Sequence, residues 1–188
     1  LISVLVIYFS FTVGLGPHKT ALALAIGAAA GLICTIPAGH IVDRVGQRPV
    51  VVISMIINGL AILALAFVQT FLMLTICFAL DSIANVFSRN SQQTLIARVG
   101  DSRTNPRNRA YTRSINNLGI GLGSLGAGIA LSINSEFGYK VAIVLDAVTF
   151  LIGAYIYTLV PHFPATLQDR EKFDWSIFKD GRYMAATA

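Results

Sequence analysis

The chain alternates between long apolar stretches and short polar ones. Residues 20–42, 49–80, 114–135 and 147–168 contain no Asp, Glu, Lys or Arg. Uncharged apolar stretches of about 18 residues or more are long enough to cross a bilayer as a helix. The pattern predicts six spans. The first covers residues 1 to about 15 and ends at Gly14, Gly16 and Pro17, with His18-Lys19 as a short loop. Leu1 stands inside an apolar run with no initiator Met, so this span is expected to be incomplete at its start. The second span covers about 20–41 and is rich in Ala and Gly. As one helix, the uncharged run 49–80 would be ~48 Å long, against ~30 Å of hydrocarbon. It must turn, and Gln69-Thr70 is the only polar pair available. Spans three and four then fall at about 49–68 and 71–89. The fifth and sixth fall at about 113–133 and 140–160, the last stopped by Pro161. A polar loop is expected over 90–112. The fold class is therefore an all-α polytopic transmembrane helical bundle. Residues 1–160 form the six-span unit, 161–181 a polar linker, and 182–188 the start of a seventh span.

Composition agrees with that division. The chain is 55% hydrophobic and only 12% charged, whereas soluble domains carry about 25% charged residues. A domain of 188 residues cannot bury every face of several apolar helices, so a soluble fold is excluded. The net charge of +5 would point to nucleic acid in a soluble chain. Here the basic residues lie between spans and set topology instead. Arg44 and Arg48 fall in the 2–3 loop. Arg89, Arg98, Arg103, Arg107, Arg109 and Arg113 fall in or beside the 4–5 loop, and Arg170, Lys172, Lys179 and Arg182 in the linker. The opposite side has only Lys19 and Lys140. This asymmetry puts the 2–3 loop, the 4–5 loop and the linker in the cytoplasm, with the chain integral to a membrane of the bacterial cytoplasmic type.

Cys34 and Cys77 lie within apolar runs and read as small packing residues. His18, His40 and His162 are far apart, at loops or span ends. No metal-ligand cluster and no nucleophile–base pair occurs within the spans, so neither a catalytic residue nor a cofactor is expected and the chain is not read as an enzyme. No filter-like string points to a channel.

Between the second and third spans stands Gly39-His40-Ile41-Val42-Asp43-Arg44-Val45-Gly46-Gln47-Arg48. It resembles the signature loop of the major facilitator superfamily, Gly-x-x-x-Asp-Arg-x-Gly-Arg-Arg, at the same place in the topology. Gln47 departs from that pattern, since a basic residue is common there. Two glycines would let the backbone turn tightly and let a neighbouring helix come close. Asp43 can accept hydrogen bonds or sit near a helix N-terminus, and Arg44 and Arg48 can pair with carboxylates or lipid phosphates. The resemblance implies that this loop latches two six-span halves together, with Asp43 and Arg48 as gate residues. A simpler reading, that the arginines anchor the hairpin and set topology, stays open.

Span five carries Gly119-Ile120-Gly121-Leu122-Gly123-Ser124-Leu125-Gly126-Ala127-Gly128. This resembles the Gly-x-x-x-Gly-Pro-x-x-Gly-Gly pattern of the family's drug/proton antiporters. Ser124 stands where the proline would be and Ala127 where a glycine would be. Gly119, Gly123, Gly126 and Gly128 are also expected simply to pack helices closely. Span four has no Arg or Lys between Val68 and Ser88, although many relatives embed a basic residue there.

Two carboxylates fall inside spans. Asp81 lies ten residues after Phe71, roughly 15 Å deep. An ionised carboxylate at that depth is costly, so it must face the bundle interior, be paired or be protonated. Asp81 is the leading candidate for a proton or cationic-substrate site, with Asn85 one turn later and Asn116 in span five as further candidates. A structural bond from Asp81 to a neighbouring backbone is the alternative. Asp146 in span six is expected closer to the outer face, in a structural pairing with a neighbouring helix.

The resemblance implies a secondary active transporter that moves a small molecule by alternating access. Proton-coupled efflux of a drug-like or amphipathic compound leads. Proton-coupled uptake of a metabolite or peptide, or a non-transporting receptor or scaffold on the same fold, are the alternatives. The implied partners are the small-molecule substrate, protons, the lipid bilayer and a C-terminal six-span half, with no nucleic acid.

Overall fold

A computed structural model describes residues 2–99, 105–133 and 135–160. Helix α1 (Ile2–Ile7) runs directly into a π-helical turn, Tyr8–Thr12. It is followed by α2 (Pro17–Val45), α3 (Gln47–Leu65), α4 (Phe71–Val99), α5 (Asn105–Ile133) and α6 (Glu136–Thr158). Helices α2 to α6 are each long and apolar enough to cross a membrane. The expected linker and seventh span lie outside the described residues.

The helix ends follow from local chemistry. Pro17 opens α2, where its missing N–H has no partner to lose. Ahead of it, Gly14 and Gly16 hold φ of 78° and 84°, in the left-handed region that favours glycine. Ser135 caps α6 by accepting from the Gly138 N–H at 3.1 Å. Thr75 and Thr94 return their hydroxyls to carbonyls one turn back on α4, at 2.9 Å each. Such bonds let hydroxyl residues sit in an apolar helix without an unmet donor.

Two expected boundaries are corrected. The loop expected over 90–112 is largely helix: α4 continues to Val99 and α5 resumes at Asn105. Residues 90–96 are mostly polar yet stay helical, and the Thr94 hydroxyl bonds the Asn90 carbonyl within that helix. Pro106 sits in the first turn of α5, where proline is tolerated. The expected signature loop is likewise mostly helix. Gly39 to Val45 complete α2, and Gly46 alone, at φ 96°, separates it from α3. Gly39 therefore does not turn the chain, and a Cβ there would meet nothing within 4 Å among the described residues.

Small residues set the packing. On α2 the buried positions include Thr20, Ala23, Gly27 and Gly31, one face of a helix at three- and four-residue spacing. A Cβ on Gly27 would lie 2.9 Å from the Phe78 carbonyl carbon, and one on Gly31 would lie 3.1 Å from the Ser82 Cβ. Helices α2 and α4 thus run in the same direction, backbone against backbone. Helices α3 and α6 run oppositely: a Cβ on Gly59 would press on Leu151 and the Ala147 carbonyl, and one on Gly153 would lie 3.2 Å from Met55. The largest apolar core gathers at one end, with Tyr8 and Phe9 of the π-helical turn against Phe78 and Tyr139. Cys77 belongs to that core and Cys34 is half-buried, both as free thiols.

Helix α5 departs from the expected packing. It touches α1, α4 and α6, yet nearly every side chain from Ala110 to Ile129 is exposed. A Cβ on Gly119, Gly121, Gly123, Gly126 or Gly128 would meet nothing within 4 Å. The close contact expected of this stripe is made with no described helix of the chain, because the stripe faces open space.

These contrasts give paired expectations for thermal unfolding in detergent. Gly27→Ala should destabilise by about 1–3 kcal/mol, the usual cost of overpacking a close contact. In this chain without a further six-span half, Gly123→Ala should be neutral or stabilise by up to about 1 kcal/mol, since Ala is the better helix former and a Cβ there meets no described residue. A stable Gly27→Ala protein would contradict the close α2–α4 crossing.

Candidate functional site

Three spans bring polar side chains to mid-membrane depth. Asp81 and Asp146 each stand ten residues into α4 and α6, and Asn58 stands eleven into α3. Asp146 is thus more central than its expected place near the outer face, because α6 begins at Glu136 rather than near residue 140. Asp81 is half-buried, between Phe78 and Ser82, the positions where α4 presses on α2. It is engaged in a polar interaction within the fold. The Asp146 carboxylate is close enough for its charge to act on that of Asp81. Asp146 is also half-buried and precedes Ala147, the residue that meets Gly59 of α3.

Asn58 is the residue that sequence reasoning missed. It is fully buried and takes part in a polar interaction. Ser54, one turn earlier on the same face, is buried with its hydroxyl on the Val50 carbonyl at 2.6 Å. The available signal was the pair Asn58-Gly59: an amide in mid-span beside a glycine, where a neighbouring helix comes close. An amide in hydrocarbon must find a partner on another helix or on its own backbone. Asn85 lies one turn beyond Asp81, half-buried on α4. Asn116 stands exposed on α5 and joins no described packed group.

A second group lies at the Gly46 corner. Asp43 and Arg44 are exposed, and neither makes an ion pair with a described residue. Arg48 behaves differently. Its guanidinium donates to the carbonyl oxygen of Thr158 in the last turn of α6. The last carbonyls of a helix have no partner within it, and a cation there also suits the helix dipole. Arg48 therefore ties the start of α3 to the end of α6. Gln47 is wholly buried and is engaged in a polar interaction. At the same end of the bundle α4 buries Ser88 and Ser91, with the Gln92 amide donating to the Ser88 hydroxyl at 2.9 Å. A neutral amide suits such a setting, whereas a lysine or arginine at position 47 would bring in a charge to be desolvated. No group of three His, Cys, Asp or Glu side chains suited to a metal ion occurs among the described residues.

Comparison with known proteins bears on the whole chain. The family model described as Major Facilitator Superfamily matches residues 1–187. A multidrug resistance protein, MdtG, of Klebsiella pneumoniae (strain 342) is 28% identical over 127 residues. That alignment covers 68% of this chain but only 30% of the relative, so the chain spans well under half of that protein.

The Arg48 contact predicts a local effect. Arg48→Ala should speed amide hydrogen exchange in the last turn of α6, over 155–158, by freeing its end. Arg44→Ala, without such a contact, should leave that turn unchanged. Equal exchange in the two variants would show that the Arg48 bond does not hold the helix end.

Proposed function

The chain belongs to the major facilitator superfamily, and we propose that it is the N-terminal six-span half of a proton-coupled exporter of drug-like, amphipathic compounds. Transport would proceed by alternating access, the half moving against a C-terminal partner of like size. One observation carries the reading: Asp81, a half-buried carboxylate in the middle of a membrane-spanning helix, which feels the charge of a second carboxylate on another span, Asp146. Repulsion between two negative charges grows as the surrounding dielectric falls. Taking up a proton from one side relieves that repulsion, and water access from the other side lets the proton leave. Asn85 and Asn116 are the accompanying candidates for substrate contact.

Efflux is favoured over uptake by two things. The relative over 127 residues is a multidrug resistance protein, and the glycine string of α5 resembles the pattern of drug/proton antiporters. In this reading the open stripe from Gly119 to Gly128 supports a close approach by the C-terminal half. Asp43, Arg44 and Arg48 would form the latch on the cytoplasmic side, with Gly46 as its corner. Lys19 and Lys140, the two cations expected on the far side, support that orientation.

The test is transport by the full-length protein in inverted vesicles, with and without a pH gradient, using a cationic amphipathic dye. Asp81→Asn should abolish gradient-driven movement while leaving expression intact. Full transport by that variant would remove Asp81 from the coupling step, and gradient-independent accumulation by the wild type would remove proton coupling altogether.

A further inference from the structure

At the end of the bundle where α1 stops, three chain segments fail to close on one another. The π-helical turn widens the end of α1: the Val13 N–H donates to the Tyr8 carbonyl at 2.9 Å and the Leu15 N–H to the Phe9 carbonyl at 3.1 Å. The α3–α4 connection passes beside it, and α6 begins there. A cleft of about 410 Å³ remains, lined among others by Tyr8, Thr12, Phe67, Gln69, Glu136 and Lys140. That volume falls in the range of about 300–1,000 Å³ typical of small-molecule sites.

The chemistry of the lining is specific. Glu136 and Lys140 pair at 2.6 Å, one turn apart, with their side chains 61% and 44% exposed. Tyr8 is buried as a residue, yet the charges of both act on its hydroxyl. Thr12 and Gln69 add a hydroxyl and an amide. One acid and one base make the cleft neutral overall, so neither a lone cation nor a lone anion gains by entering it. A zwitterion gains twice, since it can replace each partner of the existing pair with an opposite charge of its own. Oxygen acceptors on Glu136, Tyr8 and Gln69 suit a primary ammonium with three N–H donors, and the Lys140 ammonium suits a phosphate.

We propose that this cleft binds the head group of a phospholipid carrying a primary ammonium and a phosphate, from the leaflet around that end of the bundle. The cleft lies at the ends of membrane-spanning helices, which is head-group depth. Phe67 lines the cleft, and Phe11 and Phe137 adjoin its lining residues Thr12 and Glu136 in sequence; they are exposed at 75%, 74% and 77%. They offer acyl chains apolar surface at that end of the bundle. The ammonium is held by Glu136 and the phosphate by Lys140, while the π-helical turn keeps Tyr8 and Thr12 turned toward the head group.

The test uses the full-length protein purified in detergent, so it does not depend on which leaflet is involved or on whether the protein exports. Native mass spectrometry would compare retention of phosphatidylethanolamine and phosphatidylglycerol with matched acyl chains. The wild type should prefer phosphatidylethanolamine by about fivefold, the scale of one charge contact at a lipid surface. Glu136→Gln with Lys140→Gln should erase that preference. Thr12→Trp, which fills the cleft and leaves the charge pair intact, should also lower retention. Soluble phosphorylethanolamine should bind more weakly than the lipid, because it lacks the chains that meet the phenylalanines. Equal retention of the two lipids by the wild type overturns the assignment. So does an unchanged preference in the double variant, or phosphorylethanolamine binding as tightly as the lipid.

Discussion

Inside hydrocarbon, a peptide N–H or C=O without a partner costs about 2–7 kcal/mol. No water is present to supply that partner, so each span must bond within itself. This constraint runs through every part of the described chain. All its elements are helices, and the hydroxyls of Ser54, Thr75, Ser124 and Thr149 turn back onto carbonyls of their own helices, while those of Ser10 and Ser91 are buried without a partner among the described residues. Where helices end, special groups take over. Ser135 caps the start of α6, and Arg48 reaches across from α3 to close its finish. Even the mostly polar residues 90–99 stay helical, because polarity does not require leaving the helix.

With solvation settled in this way, association of the spans depends on contact geometry. Lipid tails are as apolar as leucine side chains, so apolar surface alone gives one helix little reason to prefer another helix over lipid. The chain answers with glycine. Gly27 and Gly31 bring α2 onto the backbone of α4, and Gly59 and Gly153 bring α3 and α6 together. Helix α3 packs against both α4 and α6. Asn58, Asp81 and Asp146 then come to a common depth. Each of these polar residues stands beside a close helix contact: Asn58 next to Gly59, Asp146 next to Ala147, and Asp81 between Phe78 and Ser82.

The spans were legible because charge-free length is a direct physical requirement of the bilayer. The division at Gln69-Thr70 was legible for the same reason, since no single helix of that length fits the hydrocarbon. Less was legible where two requirements overlap. The segment from Gly39 to Arg48 contains two glycines and suggests a hairpin, but its other residues sustain helix and one glycine suffices for the turn. Residues 90–112 look like a loop because they are polar, yet polarity measures depth and not helicity. The importance of Asn58 was hidden because a lone amide in a span gives no sign of which neighbour will meet it. The small residues of both α2 and α5 were legible as faces for close approach, yet of the two only those of α2 pack within the described chain. A spacing of small residues shows that a close approach is possible, and the partner decides whether it happens.

Gly46 is the whole of the connection between α2 and α3. A longer loop would act as a slack tether, letting each helix tilt or slide without disturbing the other. A single residue in the left-handed region acts as a hinge pin. It fixes the adjoining ends of the two helices to one point while leaving their angle free to change. Motion of α2 at that end must appear at once in α3, and through Arg48 in the last turn of α6. Three of the spans therefore share one mechanical joint. Lengthening that joint by even a few flexible residues would uncouple them while leaving each helix intact.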